Sequence, residues 1–282
     1  MEPLTVTVAR GGVVEAVHRV HAVAVRDGEV VAAAGDPELV AYLRSSAKPI
    51  QALPLVEAYG DLTDAEVAIA AASHKAEPPQ IEAVRTLLAR AGATEDELEN
   101  GEQEGRPPGR IHHNCSGKHA GMLAVCRASG WPLEGYRLPD HPLQRRIADD
   151  LGAVVLATAI DGCGVPTFAT TLRDAAGLLV RTHPRIRAAM EARPELVGGE
   201  ASTDTALMRA LPGWIAKGGA EGLFCAAGPD GLGVALKCVD GNSRAHPPAL
   251  AAFLGGLGLE LPPQLARVPV LNSRGEEVGE IA

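Results

Sequence analysis

Aromatic residues are scarce in this chain: 3 Phe, 3 Tyr and 2 Trp among 282 residues. The core therefore falls to Ala, Val and Leu, and the stacking rings of a single-stranded nucleic-acid binder are missing. Basic charge is short as well, with 26 Lys+Arg against 35 Asp+Glu and a formal net charge of −9, so no electrostatic footprint for a phosphate backbone is expected. No apolar run approaches the ~18 residues of a membrane-spanning helix. Met1-Glu2-Pro3 opens without the basic and apolar stretches of a secretory leader, and the expectation is a soluble, cytoplasmic protein. The five cysteines, Cys115, Cys126, Cys163, Cys225 and Cys238, are odd in number, irregularly spaced and without a C-x-x-C, which argues against a disulfide framework. Their default role is that of small buried hydrophobes.

What is present fits a globular protein: 46% hydrophobic and 22% charged residues, with 32 glycines for close backbone approaches. Val20 to Val25 and Glu29 to Ala34 read as strands joined at Arg26-Asp27-Gly28, a turn with the glycine that positive φ favours. Glu77 to Ala91 carries Ile81, Val84, Leu87 and Leu88 on one helical face, with Gly92 as its stop. Further helices are expected over Ser116–Ala128, Pro142–Asp150, Arg185–Glu191, Thr203–Leu211 and Ala249–Leu257. Val154 to Ile160 reads as a strand, and Leu223–Ala227 with Leu232–Val239 as a second hairpin. Strands at both ends with helices between predict an α+β fold whose antiparallel sheet is closed by both termini, as a single domain over residues 1–282. ENGEQEGRPPGR, ending at Arg110, has no apolar periodicity and reads as a surface loop.

Several chemistries lose their anchors. There is no H-E-x-x-H, no G-x-S-x-G and no H-x-E with P-C-x-x-C. Gly117-Lys118-His119 fails as a phosphate loop because His112 stands where glycine is needed and His119 replaces Ser/Thr.

The clearest local signal is Arg44-Ser45-Ser46-Ala47-Lys48-Pro49. A Ser and a Lys at i, i+3 share one helical face, but the lysine activates the serine only when neutral. From a reference pKa of ~10.4, roughly one lysine in 2,500 is neutral at pH 7, a deficit of about 4.6 kcal/mol. Burial and converging cations remove such a deficit; without them Ser45 is simply an N-cap. Context supplies candidates. Ser73-His74-Lys75 follows the apolar run Val67–Ala72, and Ile111 to His119 packs seven hydrogen-bonding or titratable side chains into nine residues. Asp161-Gly162-Cys163-Gly164 places a carboxylate and a thiol on a tight loop after a strand, and Lys237 sits in the apolar strand VALKCV, where an unpaired charge is costly.

Taken together, RSSAKPIQALP, SHKAEP, HHNCSGKHAGML, DGCGVPTFA, KGGAEG and NSRGEEVGEI resemble the L-asparaginase II family, the Rhizobium etli-type or class 3 asparaginases, along nearly the whole chain. The resemblance implies a fold similar to serine β-lactamases and penicillin-binding proteins, two Ser–Lys pairs, a zinc site and a homodimer. Carried onto this sequence, it implies Ser45 with Lys48, Ser73 with Lys237, and Zn2+ on Cys115, Lys118 and Cys163 with Asp161 nearby. Two thiolates are too few for a closed structural zinc site, and a bound cation would favour the neutral lysine ligand while depressing the other lysines. The implied reaction is hydrolysis of L-asparagine to L-aspartate and ammonia through an acyl-enzyme, the nucleophile being Ser45 or Ser73. Arg44, His119 and Asp161 are candidates for the amino acid's charged ends, and His74 and His113 for supporting groups. Lys75 departs from the family's wording, where a smaller or polar residue is expected, and adds a cation. No regulatory tail is expected after NSRGEEVGEI. The alternatives are another Ser–Lys amidase or peptidase on the same scaffold, a zinc-stabilised binding protein without catalysis, and a Cys115 or Cys163 thiol nucleophile.

Overall fold

The computed structural model describes residues 1–282. Its strands are β1 (Leu4–Arg10), β2 (Val13–Arg26), β3 (Glu29–Ala34), β4 (Val40–Tyr42), β5 (Ala157–Ile160), β6 (Pro166–Thr171), β7 (Ile215–Gly218), β8 (Leu223–Ala227), β9 (Gly233–Cys238), β10 (Val268–Leu271) and β11 (Glu277–Ile281). Its helices are α1 (Lys48–Gln51), α2 (Leu53–Ala58), α3 (Asp64–Ala70), α4 (Pro78–Ala91), α5 (Ser116–Ser129), α6 (Pro142–Leu151), α7 (Leu172–Val180), α8 (Pro184–Ala192), α9 (Pro194–Gly198), α10 (Thr203–Ala210), α11 (His246–Gly255) and α12 (Pro263–Ala266). The fold is α+β, as the alternation of patterns predicts.

The main sheet is antiparallel in the order β10-β11-β1-β2-β9-β8-β7, with β3 also on β2. The length of β2 explains the branch: one edge serves β1 along Val13–Val20 and β3 along Ala22–Arg26, while the other takes β9. The two-residue turn of the β2–β3 hairpin puts both Asp27 (φ 52) and Gly28 (φ 83) in the left-handed region, the geometry that matches strand twist. Both chain ends meet in this sheet, where Val8 pairs with Ile281. A second, three-stranded sheet runs β4-β6-β5.

A continuous buried core runs from Val6 to Ile281 and is largely aliphatic, as the aromatic shortage requires. Helix α4 buries Ile81, Val84, Leu87 and Leu88 and stops at Gly92, whose φ of 58 is left-handed. One expectation is corrected: the strand placed at Val154 begins at Ala157, because Gly152 (φ 75) breaks α6 and Gly152–Val154 closes a 3-10 turn first. No helix is long and apolar enough to cross a membrane.

Candidate functional site

A cavity of about 350 Å³ opens between the β7 edge of the main sheet and the helical half, and is lined by Ser45, Ser73, Asn114, Asp204, Lys217 and His246 among others. Three backbone positions around it are strained. Arg44 (φ 47), Ala76 (φ 61) and Glu221 (φ 56) are non-glycine residues in the left-handed region, a cost of about 1–3 kcal/mol each that structures retain where geometry matters. Arg44 opens the 3-10 turn Arg44–Ala47 that presents Ser45, so Ser45 is not a helix N-cap. Ser46 fastens this turn to the sheet by donating from Oγ to the Lys217 carbonyl at 3.0 Å.

The lysines are distributed differently from the expectation. Lys48 is fully buried, and its Nζ donates to the Ala72 carbonyl (2.5 Å), the Ser73 hydroxyl (3.1 Å) and the Asn114 carbonyl (3.5 Å). The S-x-x-K lysine thus sits on Ser73 and on two carbonyls that suit an ammonium. Lys237 is not brought to the cavity; its Nζ donates to the carbonyls of Glu221 and Cys238 at 2.6 and 2.7 Å. The buried lysine of the cavity is Lys217 on β7, which is 1% exposed. Burial pushes its pKa down to about 8 against the pull of Asp204, with Lys48 adding repulsion. Its Nζ donates to the Gly218 carbonyl at 2.6 Å and lies 3.6 Å from Asp204 Oδ1. The signal for Lys217 was the glycine pair after it: a Cβ at Gly219 would stand 2.9 Å from both the Leu43 carbonyl and Ser46 Oγ, so only glycine lets β7 approach the serine turn.

Arg44 and Asp161 are together but occupied with each other, Arg44 Nε donating to Asp161 Oδ1 at 2.5 Å and Gly162 N to the same oxygen at 2.8 Å. His74 is buried and fixed as a neutral ring: Nδ1 accepts from Ala76 N at 3.1 Å, so Nε2 carries the proton and donates to Ser116 Oγ at 2.8 Å. Burial pushes its pKa down to about 3. Replacing it with leucine removes the acceptor of Ala76 N and one of the two partners of Ser116 Oγ, which keeps its bond to the Ile111 carbonyl, and a loss of about 1–3 kcal/mol in urea unfolding is the expected outcome.

Beneath this floor, Cys115, Lys118 and Cys163 converge, each 3–4% exposed. Lys118 Nζ lies 3.1 Å from Cys163 Sγ. The hydrogen bond from Cys163, together with Lys48 and Lys118, holds the Cys115 thiol well below its usual range, while Cys163 is pushed up. His119 is fully buried and does not line the cavity. Tyr136 Oη accepts from Glu99 N and so donates to His119 Nδ1 at 2.7 Å, leaving a protonated Nε2 on the Cys163 side without a conventional partner. His113 Nδ1 accepts from Cys115 N at 3.0 Å. Two thiols and an amine, buried in mutual contact, form a donor set suited to a soft divalent cation.

A second group of ligand atoms escaped the sequence reading because its members are up to 222 residues apart. His18, Cys238 and Asp240 place one ligand atom each within 4.8 Å of one another, a spacing able to hold a metal ion. Hydrogen bonds already use these atoms. Arg244 Nε donates to His18 Nε2 at 2.9 Å, which leaves Nδ1 to donate to Asp240 Oδ2 at 2.6 Å. Cys238 Sγ donates to Asp240 Oδ1 at 2.9 Å. Bonds from Cys238, Asn242 N and His18 hold the Asp240 carboxyl down at about 2. Its contribution to stability is complete above the unfolded carboxylate value near 4 and lost as pH falls toward 2. Urea midpoints measured between pH 5 and pH 2 are expected to fall less steeply in Asp240→Asn than in the wild type.

The family model for L-asparaginase II matches residues 6–282. No curated protein sequence matches the chain. Among solved structures, the chain is similar to a β-lactamase from Mycobacterium bovis at 19% identity, over 79% of this chain and 88% of that one, with a TM-score of 0.34. It is also similar to a candidate β-lactamase from Bacteroides dorei DSM 17855 at 14% identity, over 78% and 85%, with a TM-score of 0.39.

Proposed function

Since the chain belongs to the L-asparaginase II family, and is therefore an amidohydrolase acting on a linear amide, we propose that it hydrolyses L-asparagine through a serine ester at this cavity. The observation that carries the reading is one cavity lined by both candidate serines, Ser45 and Ser73, together with a buried lysine whose pKa is about 8. Ser45 is the nucleophile: it lines the cavity beside the strained Arg44, whereas the Ser73 hydroxyl is engaged by Lys48. Lys217 in its neutral form takes the Ser45 proton as Oγ attacks the side-chain carbonyl, and returns it to the departing ammonia. Lys48 and Ser73 form the positive side of the site. Water then cleaves the ester and releases L-aspartate.

Cys115, Lys118 and Cys163 would hold Zn2+ in this reading, and the donor set supports it. Lys118 would bind as a neutral amine, its proton displaced, and His119 Nε2–H would point toward the Cys163 sulfur. Bound there, zinc would supply positive charge that favours neutral lysines next to it. Ser45→Ala is expected to abolish ammonia release from L-asparagine, and mass spectrometry of acid-quenched wild type to show an aspartyl adduct on the peptide containing Ser45. An adduct on Ser73, or full activity in Ser45→Ala, would overturn the assignment. Elemental analysis of the purified protein is expected to give one zinc per chain, lost in Cys163→Ser.

A further inference from the structure

The cavity offers a substrate one carboxylate and one free cation. Asp204 is the only acidic residue that lines it. Its Oδ1 accepts from Gly218 N at 2.6 Å and faces Lys217, which leaves Oδ2 with lone pairs to spare. Lys75 lines the same cavity, is exposed and has no ion-pair partner. Both stems border the Gly198-Gly199 pair. A Cβ at Gly199 would stand 2.7 Å from Lys75 Cγ, and one at Gly198 would stand 3.3 Å from Asp204 Cβ. Side chains at these glycines would push into both. A third group points the same way: His246 lines the cavity, is 3% exposed, and its Nε2 is buried without a hydrogen-bond partner, a deficit that a polar ligand can relieve.

We propose that Asp204 and Lys75 form a clamp for a zwitterion. Asp204 takes the α-ammonium of a free amino acid, Lys75 its α-carboxylate, and the side-chain amide is left facing the serines. The inference rests on the amidase reading and assigns the two side chains that recognise the free α-ammonium and α-carboxylate of its substrate. An ammonium arriving at Asp204 also competes with Lys217 for that carboxylate, which favours the neutral amine that the reaction uses.

The test compares L-asparagine with N-acetyl-L-asparagine, which lacks the ammonium, and L-asparagine α-methyl ester, which lacks the carboxylate. The wild type is expected to favour L-asparagine over each by at least about tenfold in kcat/KM, the scale of one lost charge-assisted hydrogen bond. Lys75→Ala is expected to raise KM for L-asparagine about tenfold with kcat retained, to leave the methyl ester unchanged, and to be rescued by Lys75→Arg. Asp204→Asn is expected to bring the asparagine/N-acetylasparagine ratio close to one. Equal turnover of all three compounds by the wild type, or equal losses on asparagine and its ester in Lys75→Ala, would overturn the clamp. Calorimetric binding of L-asparagine to Ser45→Ala, with and without Lys75→Ala, separates the two claims. Binding that weakens about tenfold without Lys75 supports the clamp even if the wild type releases no ammonia, a result that would sink only the amidase reading.

Discussion

Lys217→Met is expected to lower kcat for ammonia release from L-asparagine about a thousandfold, the worth of a positioned general base, while Lys237→Met keeps most of the wild-type rate. Both lysines lie on strands of the main sheet, but of the two only Lys217 lines the cavity with the serines, and burial holds it at about 8. Lys237 instead closes onto the Glu221 and Cys238 carbonyls. With the neutral amine of Lys217 as the proposed base, the rate is expected to climb with pH up to about 8 and level off above it. Methionine preserves the length and apolar stem of lysine, so the variant removes the amine with little change in packing. Initial rates between pH 5.5 and pH 10 for wild type and both variants check the assignment. A profile flat through pH 8, or a Lys237→Met protein as impaired as Lys217→Met, would return the base to another residue.

The exchange of Lys237 for Lys217 shows which kind of information the sequence withholds. The rule that a lysine in an apolar strand needs a reason applies equally to VALKC and to WIAK. What separates them is strand order: β7 is the edge strand beside the Ser45 turn, whereas β9 is enclosed between β2 and β8. Strand order is set by contacts between residues far apart in the chain, and no local pattern encodes it. The same holds for His18, Asp240 and Arg244, joined across more than two hundred residues. Local chemistry was legible. The Asp27-Gly28 turn, the stop at Gly92 and the amphipathic face of α4 follow from neighbours in sequence. Within the candidate site, Cys115 and Lys118 are brought together by helical spacing, and Cys163 joins them on the tight loop that DGCG announces. Ser45 and Lys48 share a helical face as well, yet Lys48 turns to Ser73, because the Ala72 and Asn114 carbonyls offer its ammonium more acceptors than the serine next to it.

Gly117→Ala carries the largest expected loss of stability, at least about 3 kcal/mol, although alanine is the better helix former by about 1 kcal/mol. Helix α5 crosses α3 so closely that a Cβ at Gly117 would stand 2.2 Å from the Ile69 carbonyl oxygen and 2.8 Å from Ile69 Cγ1. The first of these is backbone, which cannot rotate away, so the helices must separate. Gly121, one turn later on the same face, is the internal control: its Cβ would meet Ala70 Cβ and Leu55 Cδ2, both at 3.3 Å. Leu55 Cδ2 can swing aside, and the fixed Ala70 Cβ has to give by only a few tenths of an ångström, so Gly121→Ala is expected to stay within about 1 kcal/mol of the wild type, the helix-propensity gain offsetting the crowding. Separation at Gly117 also acts on function, because the residue lies between Cys115 and Lys118, whose side chains meet Cys163 from the start of α5. Urea unfolding of both variants, with zinc content measured on the same samples, is expected to show a lowered midpoint and lost metal in Gly117→Ala alone. Equal midpoints for the two variants would mean that the α3–α5 approach is looser than these distances, and that the cysteine–lysine cluster is not held by it.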